Sequence, residues 1–107
     1  MKKEYTIFLG NDKLGTTRFE KSDAPMGVVF GEIAFTKMNI GYDFIKEYCQ
    51  SNGIELATDH PEDKLISTRT IKQLKVKNNL GIEIKGVGNQ ISGIDSDGFE
   101  ITIEGIP

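Results

Sequence analysis

The stretch Asp95-Ser96-Asp97-Gly98-Phe99-Glu100-Ile101-Thr102-Ile103-Glu104 decides the fold. Turn formers ending in glycine run directly into six alternating residues. Phe99, Ile101 and Ile103 fall on one side, Glu100, Thr102 and Glu104 on the other. A period of two with one apolar side is the pattern of a half-buried strand, and Asp-Ser-Asp-Gly before it is turn chemistry. Just upstream, Gly86 to Gly93 holds three glycines and reads as a loop or an irregular edge. Alternation returns in Ile82-Glu83-Ile84-Lys85-Gly86. It returns again where Leu74 and Val76 oppose Gln73, Lys75 and Lys77, with Asn78-Asn79-Leu80-Gly81 as the turn between. The polar face of these last strands carries Lys75, Lys77, Glu83, Lys85, Glu100 and Glu104, which can pair across strands if those strands are neighbours.

Working toward the start, Asp59-His60-Pro61-Glu62-Asp63 is a polar connection, and Ile54 to Thr58 is a short strand. One helix stands out. Tyr42, Ile45, Tyr48 and Cys49 recur at helical spacing, Phe44 widens the stripe, and Asn39 or Gly41 can cap the start. Gly53 after Asn52 is a natural left-handed stop. A helix of this length is marginal alone and must pack on the sheet. Val28 to Phe35 reads as a strand interrupted by Gly31, which marks a bulge or a close backbone approach. Lys21 to Gly27 reads as a loop. Glu4–Leu9 and Leu14–Glu20 form a hairpin around Gly10-Asn11-Asp12-Lys13. The expected fold is α+β: a single domain over residues 1–107, with a largely antiparallel sheet and one packed helix.

With 37% apolar and 27% charged residues, the chain is ordinary for a globular domain, and disorder is not indicated. No run approaches the ~18 apolar residues of a membrane span. Met1-Lys2-Lys3 followed by a short mixed run makes a poor signal peptide and a better first strand. Cys49 is the one cysteine, which precludes an internal disulfide and favours a cytoplasmic setting.

Charge is unevenly placed within a net of -3. Lys64, Arg69, Lys72, Lys75, Lys77 and Lys85 face a single acid, Glu83, in their segment. Glu55, Asp59, Glu62 and Asp63 occupy a segment without Lys or Arg, and so do Asp95, Asp97, Glu100 and Glu104. An acidic balance argues against nucleic acid as ligand and leaves room for a basic protein partner. Glu55, Asp59, Glu62, Asp63, Asp95 and Asp97 are therefore the candidate partner-binding residues.

Catalytic and metal chemistry find little to work with. Every histidine-dependent mechanism would pass through His60, which reads as a solvated residue in an acidic loop. Cys49 falls on the apolar side of the helix and reads as packing. Asp95-Ser96-Asp97-Gly98 lacks the further ligands of a calcium loop, a zinc site would need more Cys and His, and Gly86-Val87-Gly88 lacks the third glycine and following helix of a dinucleotide loop. Neither cofactor nor metal is expected.

Asp23-Ala24-Pro25-Met26-Gly27-Val28-Val29-Phe30-Gly31 resembles a signature, Asp-Pro-Pro-Met-Gly with a further glycine four residues on, of a group of small bacterial proteins. Ala24 stands at the first proline. The group's early hairpin, tyrosine-bearing helix and closing Gly-Ile correspond to Tyr5–Glu20, Tyr42–Asn52 and Glu104-Gly105-Ile106. Some members are immunity proteins of contact-dependent growth-inhibition systems, paired with a toxin that is often an RNase. The resemblance implies a cytoplasmic immunity protein, not an enzyme, that occludes the active site of a cognate, basic toxin domain. The alternatives are a binding or homo-oligomeric assembly module using an exposed strand edge, and an enzyme with His60 as its base. Within the motif itself, Pro25 and Gly27 would shape a loop and Met26 would plug the core.

Overall fold

The computed structural model describes residues 4–23, 27–84 and 86–105. Ten strands and one helix lie among them. The strands are β1 (Tyr5–Leu9), β2 (Asp12–Thr17), β3 (Lys21–Asp23), β4 (Val28–Glu32), β5 (Ala34–Phe35), β6 (Leu56–His60), β7 (Leu65–Thr68), β8 (Leu74–Lys77), β9 (Gly88–Ile94) and β10 (Gly98–Glu104). The helix α1 spans Tyr42–Ser51, between β5 and β6. The chain is α+β with antiparallel sheets, as the sequence predicts. One sheet has the order β5-β2-β1-β8 and the other the order β3-β4-β10-β9-β7-β6, and every pairing is antiparallel.

Alternating residues of both sheets meet in one core. Ile7, Leu9, Leu14, Leu74 and Val76 come from the four-stranded sheet, and Ile66, Ile91, Phe99, Ile101 and Ile103 from the six-stranded one. Tyr42, Ile45 and Cys49 bring the helix into the same cluster, on the side of β7. Each large aliphatic side chain buried this way contributes about 1.5–3 kcal/mol before chain entropy is subtracted. At its far end α1 stops as expected: Gly53 takes φ +66° and the Ile54 N–H donates to the Cys49 carbonyl at 2.8 Å.

Several elements differ from the sequence reading. Lys21–Asp23, expected in a loop, is a short edge strand paired with Val28–Phe30. The strand Val28–Phe35 breaks at Ile33 rather than Gly31: β4 belongs to one sheet and β5 to the other. Buried Ile33 bridges the switch by donating its N–H to the Phe99 carbonyl at 2.9 Å. Gly86–Gly93 is not an edge. Its greater part is β9, hydrogen-bonded to β10 on one side and β7 on the other. Gly93 faces Phe99 in register, and a Cβ there would press on the Gly98 carbonyl and the Phe99 Cα and lie 2.8 Å from the Phe99 ring, so the neighbouring strand takes the space a side chain would need. Ile82, Glu83, Ile84 and Gly86 lie in no strand; the described part of this stretch makes only an isolated bridge between Lys77 and Glu83. Asp59 and His60 end strand β6 rather than lying in a connection, and β7 carries no legible period. The lysines of β8 and the acids of β10 lie in different sheets, so the expected cross-strand pairing is replaced by a Lys21–Glu100 contact at 3.5 Å. Ala24, Pro25, Met26, Lys85 and Ile106 fall outside the described residues.

Gly31 is a close approach, as its place in the sequence suggests. A Cβ there would press on the Thr17 hydroxyl and lie 2.7 Å from the Phe19 backbone nitrogen. Phe19 itself is held at φ 48°, and backbone held this way cannot easily retreat. Gly31→Ala should therefore cost about 2–3 kcal/mol in urea unfolding, near the top of the range for overpacking. An unchanged midpoint would show that the Phe19 segment yields.

Candidate functional site

Helix α1 starts at Tyr42 behind Gly41, whose lack of a side chain leaves the first N–H groups without a local acceptor. Asp95, far along the chain in the β9–β10 turn, supplies one: the Tyr42 N–H donates to its Oδ1 at 2.9 Å. Gly41 is needed for this, since a Cβ on it would lie 2.8 Å from that same oxygen. The Tyr42 side chain, only 2% exposed, runs beneath the corner and donates its hydroxyl to Asp59 Oδ1. Lys46, one helical turn on, binds both the Tyr42 hydroxyl and Asp59 Oδ2 at 3.0 Å.

Lys64 closes the arrangement from the β6–β7 turn. Its ammonium meets Asp43 at 3.0 Å and lies 5.3 Å from the centre of the Tyr42 ring, while its carbonyl accepts the Asp95 N–H at 3.2 Å. Its backbone sits at φ 55°, a left-handed conformation that a lysine keeps only under such constraint. Opposite charges and hydrogen bonds fix the protonation states. The Tyr42 hydroxyl first, then Lys46, hold the Asp59 carboxyl below its usual range, and the Tyr42 hydroxyl and Asp59 raise Lys46. Asp43 likewise raises Lys64.

Pairing of Leu65 with Ile94 sets the β6–β7 and β9–β10 turns side by side. Asp59, Glu62, Asp63, Asp95 and Asp97 thus meet at one corner of the six-stranded sheet. Glu55 does not join them: it precedes β6 at the opposite end, where its carbonyl accepts the Arg69 N–H at 2.9 Å. Within the corner the acids divide. Asp59 and Asp95 are engaged by the helix, whereas Glu62, Asp63 and Asp97 are exposed and enter no ion pair among the described residues. Tyr42, Asp43 and Lys46 are participants the sequence reading missed. The helix start without a capping side chain is the signal that a distant acceptor was required.

On the other flank of α1, a groove of about 600 Å³ is lined by Leu14, Ile40, Phe44 and Tyr48 together with the polar Asp12, Lys13 and Lys37, and Met38 nearby in sequence is fully exposed. His60 is exposed at the end of β6. Cys49 is buried, and burial pushes its thiol up, away from the reactive thiolate. Among the described residues no three His, Cys, Asp or Glu side chains converge as a metal-binding group, and no helix is long and apolar enough to cross a membrane. No protein-family model, curated protein or solved structure matches the chain, so function has to be read from the chemistry of this corner.

Two measurements probe the corner. Asp95→Ala should lower stability by about 1 kcal/mol through loss of the cap, with Asp95→Asn retaining most of it. Equal losses for both, or none, would remove Asp95 from that role. For Asp59 the depressed carboxyl means that its stabilisation is present above the unfolded value near ~3.9 and is lost as pH falls through the lower folded one. Melting temperature should drop steeply below about pH 4 in the wild type, and Asp59→Asn should flatten that limb while melting lower at neutral pH. An identical acid limb in the two proteins would contradict the assignment.

Proposed function

We propose that this chain is a cytoplasmic immunity protein that binds a basic toxin domain, of the nuclease kind, and occludes its active site without chemistry of its own. One observation carries the reading: Glu62, Asp63 and Asp97 stand at adjacent turn tips with no ion pair among the described residues, on a base tied together by Tyr42, Lys46, Asp59, Lys64 and Asp95. A nuclease active site gathers cations to hold phosphates. Fixed carboxylates complement it and lose little conformational freedom on binding. The resemblance of Asp23–Gly31 to the immunity-protein signature supports the same reading.

The free acids and the engaged ones should behave differently. Charges more than ~8 Å apart are screened at physiological salt, so the corner acts at long range mainly on association rate. Against the toxin domain encoded beside its gene, Glu62→Lys with Asp63→Lys should slow association several-fold and flatten its salt dependence, and should weaken growth protection on co-expression. Glu55→Lys should do neither. A carboxylate buried directly against a toxin cation would instead act on dissociation, at about 2–5 kcal/mol. Reversal that leaves both rates unchanged, or a neighbouring gene that encodes no toxin, would sink the reading.

A further inference from the structure

The outer face of the four-stranded sheet is built around Phe8. Its side chain points away from the core that Ile7 and Leu9 enter, and it is paired in register with Lys13 on β2 and Lys75 on β8. Directly opposed residues on antiparallel strands share a face, so Lys75 lies on the face of the ring, while Lys13, beside the bulge in β2, also lines the groove against α1. A third, Lys77, places its ammonium 5.3 Å from the ring centre. Thr6 and Thr16 complete the next row. Three ion pairs occur among the described residues, and none uses Lys13, Lys75 or Lys77. Glu83 bridges opposite Lys77 through the backbone, leaving the face with an excess of two positive charges.

We infer that this face docks the acidic corner of a second copy of the chain, giving a reversible, salt-sensitive, head-to-tail self-association. Complementarity names the occupant. The cations around Phe8 are opposite in sign to Glu62, Asp63 and Asp97, and the two surfaces lie on different sheets, so both are open at once. A net charge of only -3 gives little overall repulsion to oppose the local attraction. Nucleic acid is the poorer occupant. Lys77 already covers a face of the ring on which a base would stack, and the chain as a whole is acidic. The contact joins unlike surfaces, so it propagates or closes into a ring rather than stopping at a two-fold dimer. It also uses the corner proposed to meet the toxin, so the two partners exclude one another, yet it stands or falls without the toxin reading.

The test needs only the purified chain. Sedimentation in about 20 mM salt should show the average mass rising above 11.9 kDa with concentration, and 0.5 M salt should return it to that value. Lys75→Gln with Lys77→Gln should stay at the monomer mass in low salt, and so should Glu62→Gln with Asp63→Asn. Mixed together, these two double variants retain one intact pair of surfaces and should form a 1:1 complex that grows no further. Wild type that stays monomeric in low salt overturns the inference. So does association that survives in either double variant, or a mixture of the two that fails to pair. Association abolished by single-stranded RNA bound to the Phe8 face would transfer that face to nucleic acid.

Discussion

The bond from the Tyr42 N–H to Asp95 is the constraint on which the arrangement of the corner depends. A helix that begins at a glycine leaves its first donors to whatever the tertiary structure offers, and here that is a carboxylate from the turn between β9 and β10. Accepting it commits three segments together. Gly41 must lack a side chain, the β9–β10 turn must reach back across the sheet, and Lys64 must adopt a left-handed backbone to let the two turns touch. The Tyr42 ring then lies under two ammonium groups, and its hydroxyl joins Asp59 to Lys46. Electrostatic attraction and capping act on the same few atoms, so a change in one member reaches the others.

This makes acidic residues of two kinds out of what looks in the sequence like one. Asp43, Asp59 and Asp95 hold the chain together. Glu62, Asp63 and Asp97 enter no ion pair among the described residues and stay in solvent. Glu55, a near neighbour in sequence, is placed by the length of β6 at the other end of the strand. Counting charges along a chain cannot make these distinctions, because strand register decides which turn tips coincide.

Legibility in the sequence followed the same logic. The strands whose inward positions are all apolar, β1, β8 and β10, could be read directly, and the helix declared itself through Tyr42, Ile45 and Cys49. What resisted reading had a physical cause in each case. The glycines of β9 look like loop punctuation, but Gly93 is required by the close approach of the Gly98–Phe99 backbone in the next strand. In β7 the inward positions are Ile66 and Thr68. Thr68 is buried because its hydroxyl accepts the Ile91 N–H at 3.0 Å, continuing the ladder by a side chain where a hydrophobic pattern would expect an aliphatic residue. The sheet switch at Ile33 leaves no local mark, since a buried isoleucine suits either sheet. For the candidate site, the residue types were visible, but their division into engaged and free was not.

The pairing order has a temporal meaning as well. β1 is flanked by β2, which follows at once, and by β8, which is made much later; β4 must wait for β10, which is made long after it. A chain still on the ribosome can close the first hairpin and coil α1 only weakly, because the strands that cover both are missing. Long-range pairing of this kind puts the slow step after β10 has emerged, on a scale of milliseconds to seconds for β-rich domains. Until β10 is in place, β4 presents an open ladder of N–H and C=O groups to its surroundings, and the nascent chain is most exposed to mispairing in that interval.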